Sequence, residues 1–397
     1  MADPLSDAEI AAARAATPGC QPDLIHLNHA GASLPPQAVL DTQIAHLRAE
    51  ALRGGYEAAA TAAERDDAVY ASIAQLIGAA PDEVARTEHA TAAWNAAFWS
   101  IPMQRGQRIL AHDHEYGANI IAFLRAAELR GVCIQRVPSD STGAVSVDAY
   151  REALGDGDGV ALASLTHVPT NGGLVNPAAE IGAAARAVDV PFLLDACQSV
   201  GQWRVDVNEI PCDFLSATGR KYLRGPRGTG FLYARRSVLD RVTPSQPDHD
   251  SALLVAADRY EWAPGARRFE YWEYSHAAWL GLGAAVDHLA SWGIDRVEAT
   301  VVERADQLRA MLVDIGYDVH DDGAQRCGIV TTTSSRRSAP ELQAYLAAAH
   351  INSSYTFPGS SRWDVDRRGL AEMLRLSVHY TTTVDELQRA VDVLSQA

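Results

Sequence analysis

At 397 residues, 47% apolar and 21% charged, the chain is too long for one small core and too apolar to stay disordered, so two globular units are expected. A formal net charge of −16 argues against a nucleic-acid partner, because phosphate backbones are held by clustered lysine and arginine. A small-molecule ligand suits this balance better.

The opening stretch, residues 1–21, carries Asp3, Asp7 and Glu9 and lacks the positive flank and apolar run of a secretion signal. No stretch reaches the roughly 20 apolar residues that a membrane span requires. Ser6 followed by Glu9 predicts a capping box opening a short helix, within an N-terminal arm over residues 1–25. From Leu27 to about Ala234, apolar runs of strand length alternate with alanine-rich helical stretches, the pattern of crossover units around a mostly parallel sheet. It is clearest as a strand over 160–168, a helix over 177–188 and strands over 190–194 and 214–217. Residues 26–270 are the expected large α/β domain. Ligand chemistry in such sheets gathers beyond the carboxyl ends of strands, where Asp195 and Lys221 fall.

After Tyr271 the texture changes. Helices are expected over 281–291 and 296–315, short strands near 327–333 and 374–378, and a closing helix capped by Thr383 and Glu386. Residues 271–397 read as a smaller α+β domain. The five cysteines, Cys20, Cys133, Cys197, Cys212 and Cys327, are scattered and form no CxxC pair, so neither a metal site nor a disulfide scaffold is expected. A reducing cytoplasm is the expected compartment.

Lys221 is the only lysine, set in the segment Ser216-Ala-Thr-Gly-Arg-Lys-Tyr-Leu-Arg-Gly-Pro-Arg-Gly-Thr-Gly230. A lysine forms a useful imine only if part of it is neutral, which desolvation or nearby positive charge favours, and Arg220, Arg224 and Arg227 supply that charge. The same cations could hold a phosphate. Taken alone, the segment reads equally well as a solvated basic loop. Asp195, ending an apolar strand, would by itself be a cap or turn residue. Beside a pyridoxal 5'-phosphate (PLP) lysine, it would keep the pyridine nitrogen protonated so that the ring accepts carbanion charge.

The strings Asp195-Ala-Cys-Gln198, Lys221 and Gly225-Pro-Arg-Gly-Thr-Gly230 resemble the aminotransferase class V group, which holds cysteine desulfurases, isopenicillin N epimerases and related carbon–sulfur lyases. The similarity runs over about residues 27–386. It implies PLP fold type I, with a mostly parallel seven-stranded sheet in the large domain and Lys221 bound to the cofactor as a Schiff base. It also implies that His89, Ala90 and Thr91, in the string Thr87-Glu-His-Ala-Thr, form a phosphate-cradling turn before a helix. His89 stands where glycine is usual. Thr218 and Arg220 take the places of a serine and a histidine that grip the phosphate, Tyr116 that of a ring-stacking histidine, and Thr170 that of an asparagine near the ring oxygen. Gln198 would hydrogen-bond that oxygen. Arg375, in Leu374-Arg-Leu-Ser377, would hold the substrate α-carboxylate bidentately, and Asn28 and His29 would line the substrate entrance.

Two departures narrow the reading. Desulfurases need a mobile cysteine before the carboxylate-binding strand, and residues 353–369 hold none. Cys327, the nearest, begins a predicted strand. Phe269-Glu-Tyr-Trp-Glu273 stands where relatives carry a Gly-Thr pair that reaches the phosphate across a dimer interface, so Glu273 implies a different contact within an expected homodimer.

The Gly55-Tyr56 and Glu115-Tyr116-Gly117 strings resemble an actinobacterial set that includes ergothioneine-pathway sulfoxide lyases and lincosamide enzymes acting on cysteine S-conjugates. The expected activity is therefore β-lysis of a cysteine S-conjugate, with Lys221, Asp195 and Tyr116 at the reacting centre. Transamination, epimerisation, decarboxylation with oxidative deamination, or a non-catalytic binding role are the alternatives. A nicotinamide enzyme would need an early GxGxxG turn, which is missing.

Overall fold

A computed structural model describes residues 2–370 and 372–397. Its centre is a seven-stranded sheet built from β1 (Val84–Thr87), β2 (Arg108–His112), β3 (Cys133–Val137), β4 (Val160–Thr166), β5 (Phe192–Asp195), β6 (Phe214–Thr218) and β7 (Gly230–Ala234). The order across the sheet is β1-β7-β6-β5-β4-β2-β3. Strand β7 runs antiparallel to both neighbours, and the remaining pairs are parallel. Every residue of β4 to β7 is buried, which explains why these strands read as continuous apolar runs: helices cover both faces. Thr166 pairs with Asp195 and Asp195 with Ser216, so the carboxyl ends of β4, β5 and β6 finish level with one another.

The predicted helices and strands of the C-terminal third are present, several with longer bounds, at His276–Trp292, Ile294–Asp314 and Val384–Ser395. Four antiparallel strands make a second sheet, in the order Asp318–Val319, Ile329–Thr333, Leu374–Ser377, Ser354–Tyr355. Both predicted capping boxes form, Ser6 with Glu9 and Thr383 with Glu386. Among the described residues no helix is long and apolar enough to cross a membrane.

Two features depart from the sequence reading. Ile25–His26 does not join the large sheet but pairs in parallel with Ile351–Asn352, and Asn28 bridges Ser377. Ile25 and Leu27 are buried there, but a two-residue strand is too short to show a period in sequence. Residues 353–369, read as a loop, contain a short strand, a 3-10 turn and the helix Arg362–Arg368. That helix is held by polar contacts, Arg362 to Asp366 and Arg368 to Asp364, so it carries no apolar stripe to announce it.

Several histidines, His26 half-buried and His114, His167 and His379 buried, are neutral in the fold. Desolvation holds His26 and His167 at about 4 and His114 and His379 at about 3. Unfolded, each titrates near 6.5, so the unfolded state binds the extra protons between these values and each histidine's contribution to stability falls as pH drops from about 7 towards 4. His379→Gln removes one such group. In denaturant melts at pH 7 and pH 5, the variant's loss of stability across that interval should be smaller than wild type's by on the order of 1–2 kcal/mol.

Candidate active site

The level ends of β4 to β6 open into a cavity of about 430 Å³. Strand β1 leads to its first wall: the chain turns at His89, which caps the helix Ala90–Ser100 by accepting the Ala92 N–H on Nδ1 at 3.0 Å. Ala90 and Thr91 form the first turn of that helix, where N–H groups have no partner inside the helix and the dipole favours an anion. Strand β7 approaches this turn closely. A Cβ on Gly230 would lie 2.8 Å from the His89 carbonyl carbon and 2.7 Å from the Ala217 oxygen, so only glycine lets sheet and helix N-terminus meet here.

Asp195 forms the floor. Its Oδ1 accepts the Cys197 N–H at 3.0 Å and its Oδ2 accepts Asn119 Nδ2 at 3.1 Å. Burial pushes its carboxyl above the usual range, and the Lys221 charge pulls the other way. Lys221 follows β6 and is itself buried. Desolvation lowers its ammonium pKa, Arg220 and Arg375 push it further down, and Cys197 and Asp195 oppose them. Tyr116, the N-cap of the helix Gly117–Arg130, stands at the mouth and is 39% exposed.

The remaining wall is a chain of polar groups. Arg375 donates through Nη1 to the Thr170 carbonyl at 3.1 Å and to Thr170 Oγ1 at 3.0 Å, and Gln198 Nε2 donates to the same hydroxyl at 3.3 Å and to the Ala30 carbonyl at 3.2 Å. Gln198 Oε1 and Arg375 Nε are buried without a partner. Unsatisfied buried polar atoms beside a cavity mark a place where a ligand belongs. Thr218 turns its hydroxyl to the Thr229 carbonyl at 3.2 Å, and Arg220 donates to the Gly31 carbonyl.

All ten residues expected to hold the cofactor, from His89 to Lys221, therefore line one cavity. Arg375 is not in its lining but lies directly behind Thr170. Asn28 and His29 do not reach the cavity. His29 is buried at 2% exposure, edge-on to His26 and His379, with Nδ1 against Ser33 Oγ, because the segment that carries it is committed to the C-terminal sheet. Arg224 also turns away. It binds the Leu34 carbonyl, Tyr380 and Thr17, so only Arg220 and Arg227 of the three loop arginines line the site. Glu273 lies in a separate groove beside Arg86, Tyr274 and Trp272.

Sequence reasoning missed Trp94, Asn119, Thr166 and Cys197 as lining residues. Asn119 offered one signal: it lies four residues after Glu115, one helical turn along the same face.

A family model described as aminotransferase class V matches residues 25–390. A cysteine desulfurase of Serratia proteamaculans is 32% identical over 93% of this chain and 92% of its own length. An isopenicillin N epimerase of Streptomyces clavuligerus is 30% identical over 81% of this chain and 82% of its own. In fold, the apo cysteine desulfurase of Thermococcus onnurineus NA1 superposes with a TM-score of 0.91 at 20% identity, covering 100% of this chain and 99% of that one. With a match that spans nearly the whole sequence and a PLP type I fold around the single lysine, the chain belongs to the aminotransferase class V family and takes pyridoxal 5'-phosphate as its cofactor.

Proposed function

We propose that the chain is a carbon–sulfur β-lyase acting on a cysteine S-conjugate. The observation that carries this reading is the absence of a cysteine able to receive sulfur where desulfurases keep one. Residues 353–369 contain none, and Ser361 there donates to the Glu115 carbonyl at 3.1 Å, pinning the segment to the cavity rim. Cys327 is fully buried two residues before the strand Ile329–Thr333, which starts later than the sequence predicts, and burial pushes its thiol up to about 12. A thiol held protonated in a core is a poor sulfur acceptor.

The residues in and directly behind the cavity wall fit the cofactor: one buried lysine, a buried carboxyl, a helix N-terminus for an anion, and unsatisfied polar atoms on Gln198 in the lining and on Arg375 behind Thr170. When bound, PLP supplies an electron sink for charge developing on the substrate α-carbon. Lys221 Nζ would hold the cofactor and, as a free amine, would take the substrate α-proton; its lowered pKa favours the neutral form that such a role needs. Asp195 would hold a proton on the ring nitrogen. Ala90, Thr91, Thr218 and Arg220 would hold the phosphate, Tyr116 would pack against the ring, and Arg375 would meet the substrate carboxylate. If the β-carbon carries a thiolate or sulfenate leaving group, loss of the α-proton would lead to its expulsion with the C–S bonding pair, and water would hydrolyse the remaining three-carbon enamine to pyruvate and ammonia. A proton returned to the α-carbon instead would be epimerisation, the activity in the Streptomyces relative's name.

We take the working unit to be a homodimer. Tyr56 and Trp272 are exposed in a groove of about 560 Å³ that also holds Glu273, and aromatic groups left in water on such a face favour a partner surface.

Incubation of the holoenzyme with S-alkyl-cysteine and its sulfoxide should release pyruvate and the sulfur fragment in equal amounts. Finding neither, or finding only inverted amino acid, would refute the lyase reading. Lys221→Ala should lower kcat by at least about a thousandfold, as loss of a covalent and proton-moving group does. Arg375→Lys should raise KM by roughly tenfold or more with a smaller effect on kcat, since a bidentate carboxylate contact becomes a single one. Gly230→Ala forces a contact worth about 1–3 kcal/mol between sheet and helix N-terminus, so dialysis should strip its cofactor about ten- to a hundredfold more readily.

A further inference from the structure

Behind Asp195 lies a second carboxyl that the reaction outlined above does not use. Glu115 sits between β2 and the helix Gly117–Arg130 with 0% exposure. Its Oε2 accepts Thr166 Oγ1 at 2.9 Å and Asn119 Nδ2 at 3.2 Å, and its Oε1 accepts Ser164 Oγ at 3.1 Å. The same Asn119 nitrogen gives its other hydrogen to Asp195 Oδ2 at 3.1 Å. One buried amide thus spans two buried carboxyls.

Little else nearby offsets their charge. Among the described residues, the one basic group within 4.0 Å of the Glu115 carboxylate is His112, at 3.5 Å. Its Nε2 accepts the Thr166 N–H at 3.0 Å and burial holds it well below its ordinary pKa, so it stays neutral. Tyr150, on the facing helix, is a buried phenol donating to the Ser164 carbonyl at 3.0 Å. Lys221 lies beyond Asp195, on the cavity side. Desolvation is the largest effect on Glu115 and, with a smaller push from the Asp195 charge, brings its carboxyl up to about 7 against the pull of its Thr166, Asn119 and Ser164 donors. At neutral pH it is poised between its two states.

We propose that Glu115 is a positioning residue that, through Asn119, sets how firmly Asp195 holds a proton on the cofactor's ring nitrogen. Ionised, Glu115 adds negative potential behind Asp195 and the proton is held more tightly. Protonated, it removes that potential and the proton is held less tightly. Its hydrogen bonds to Thr166 and Ser164 fix which state prevails near neutrality. The inference rests on the cofactor assignment and is independent of the proposed substrate.

The test is a pH titration of the ring-nitrogen 15N resonance of 15N-labelled bound cofactor, from about pH 5.5 to 9.5, in wild type, Glu115→Gln and Ser164→Ala holoenzymes. Glu115→Gln keeps the shape and removes the charge, so the midpoint should fall by about 0.5–1 pH unit, the effect of one charge across a partly screened interior. Ser164→Ala removes a donor that favours the ionised form, so its midpoint should move the same way by less. The acidic limb of kcat/KM should follow. A residue that merely props up the wall would lower the melting temperature and leave both midpoints at the wild-type value, and that result overturns the proposal. Should Glu115→Gln fail to fold, an unmoved midpoint in Ser164→Ala overturns it alone. A wild-type protein with no visible band after reconstitution would sink the cofactor assignment itself, and the inference with it.

Discussion

The cavity depends on one arrangement: a lysine and an aspartate, both buried, held across from each other at neighbouring strand ends. Removing either charge from water is expensive, and the site tolerates it only because each has compensation. Asp195 is satisfied by a backbone N–H and an asparagine amide, and Lys221 faces that carboxylate. The sheet makes the arrangement affordable. Because β4, β5 and β6 end level, the polar groups project from a rigid apolar platform and not from a loop that would have to be ordered separately.

Much of this was legible in the sequence. Strands buried on both faces read as uninterrupted apolar runs, and two capping boxes marked helix starts to the residue. The lysine stood out by being alone, and Asp195 by following an apolar strand. What was hidden is what periodicity cannot encode. The two-residue pairing of Ile25 with Ile351 has no pattern of its own, and the helix Arg362–Arg368 is held by charges. Three arginines flanking the lysine look equivalent in a string. In space Arg224 adopts a left-handed backbone with φ 61° and spends its guanidinium on the Leu34 carbonyl, Tyr380 and Thr17.

The layers around the site differ in how much they can vary. Contacts made by backbone, such as the N–H groups at the N-terminus of Ala90–Ser100, persist through side-chain change, whereas the Gly230 approach tolerates no side chain at all. Contacts made by side chains, Tyr116 above and Thr170 behind, are where one reaction outcome could be exchanged for another without disturbing the fold. Two relatives with differently named activities are each about 30% identical to this chain.

The union of the N-terminal arm with the far end of the chain bears on how the protein is made. Leu5 donates to Thr300, Arg14 reaches Thr381 and Glu386, and Ile25 pairs with Ile351, so these residues find their partners only after some 300 more have been synthesised. On a ribosome, the arm with its apolar Leu5, Ile10 and Ile25 must wait without those contacts while the central sheet forms. Closure of the two ends is then a late event, and the histidine cluster around His29 and His379 becomes dry only when it occurs.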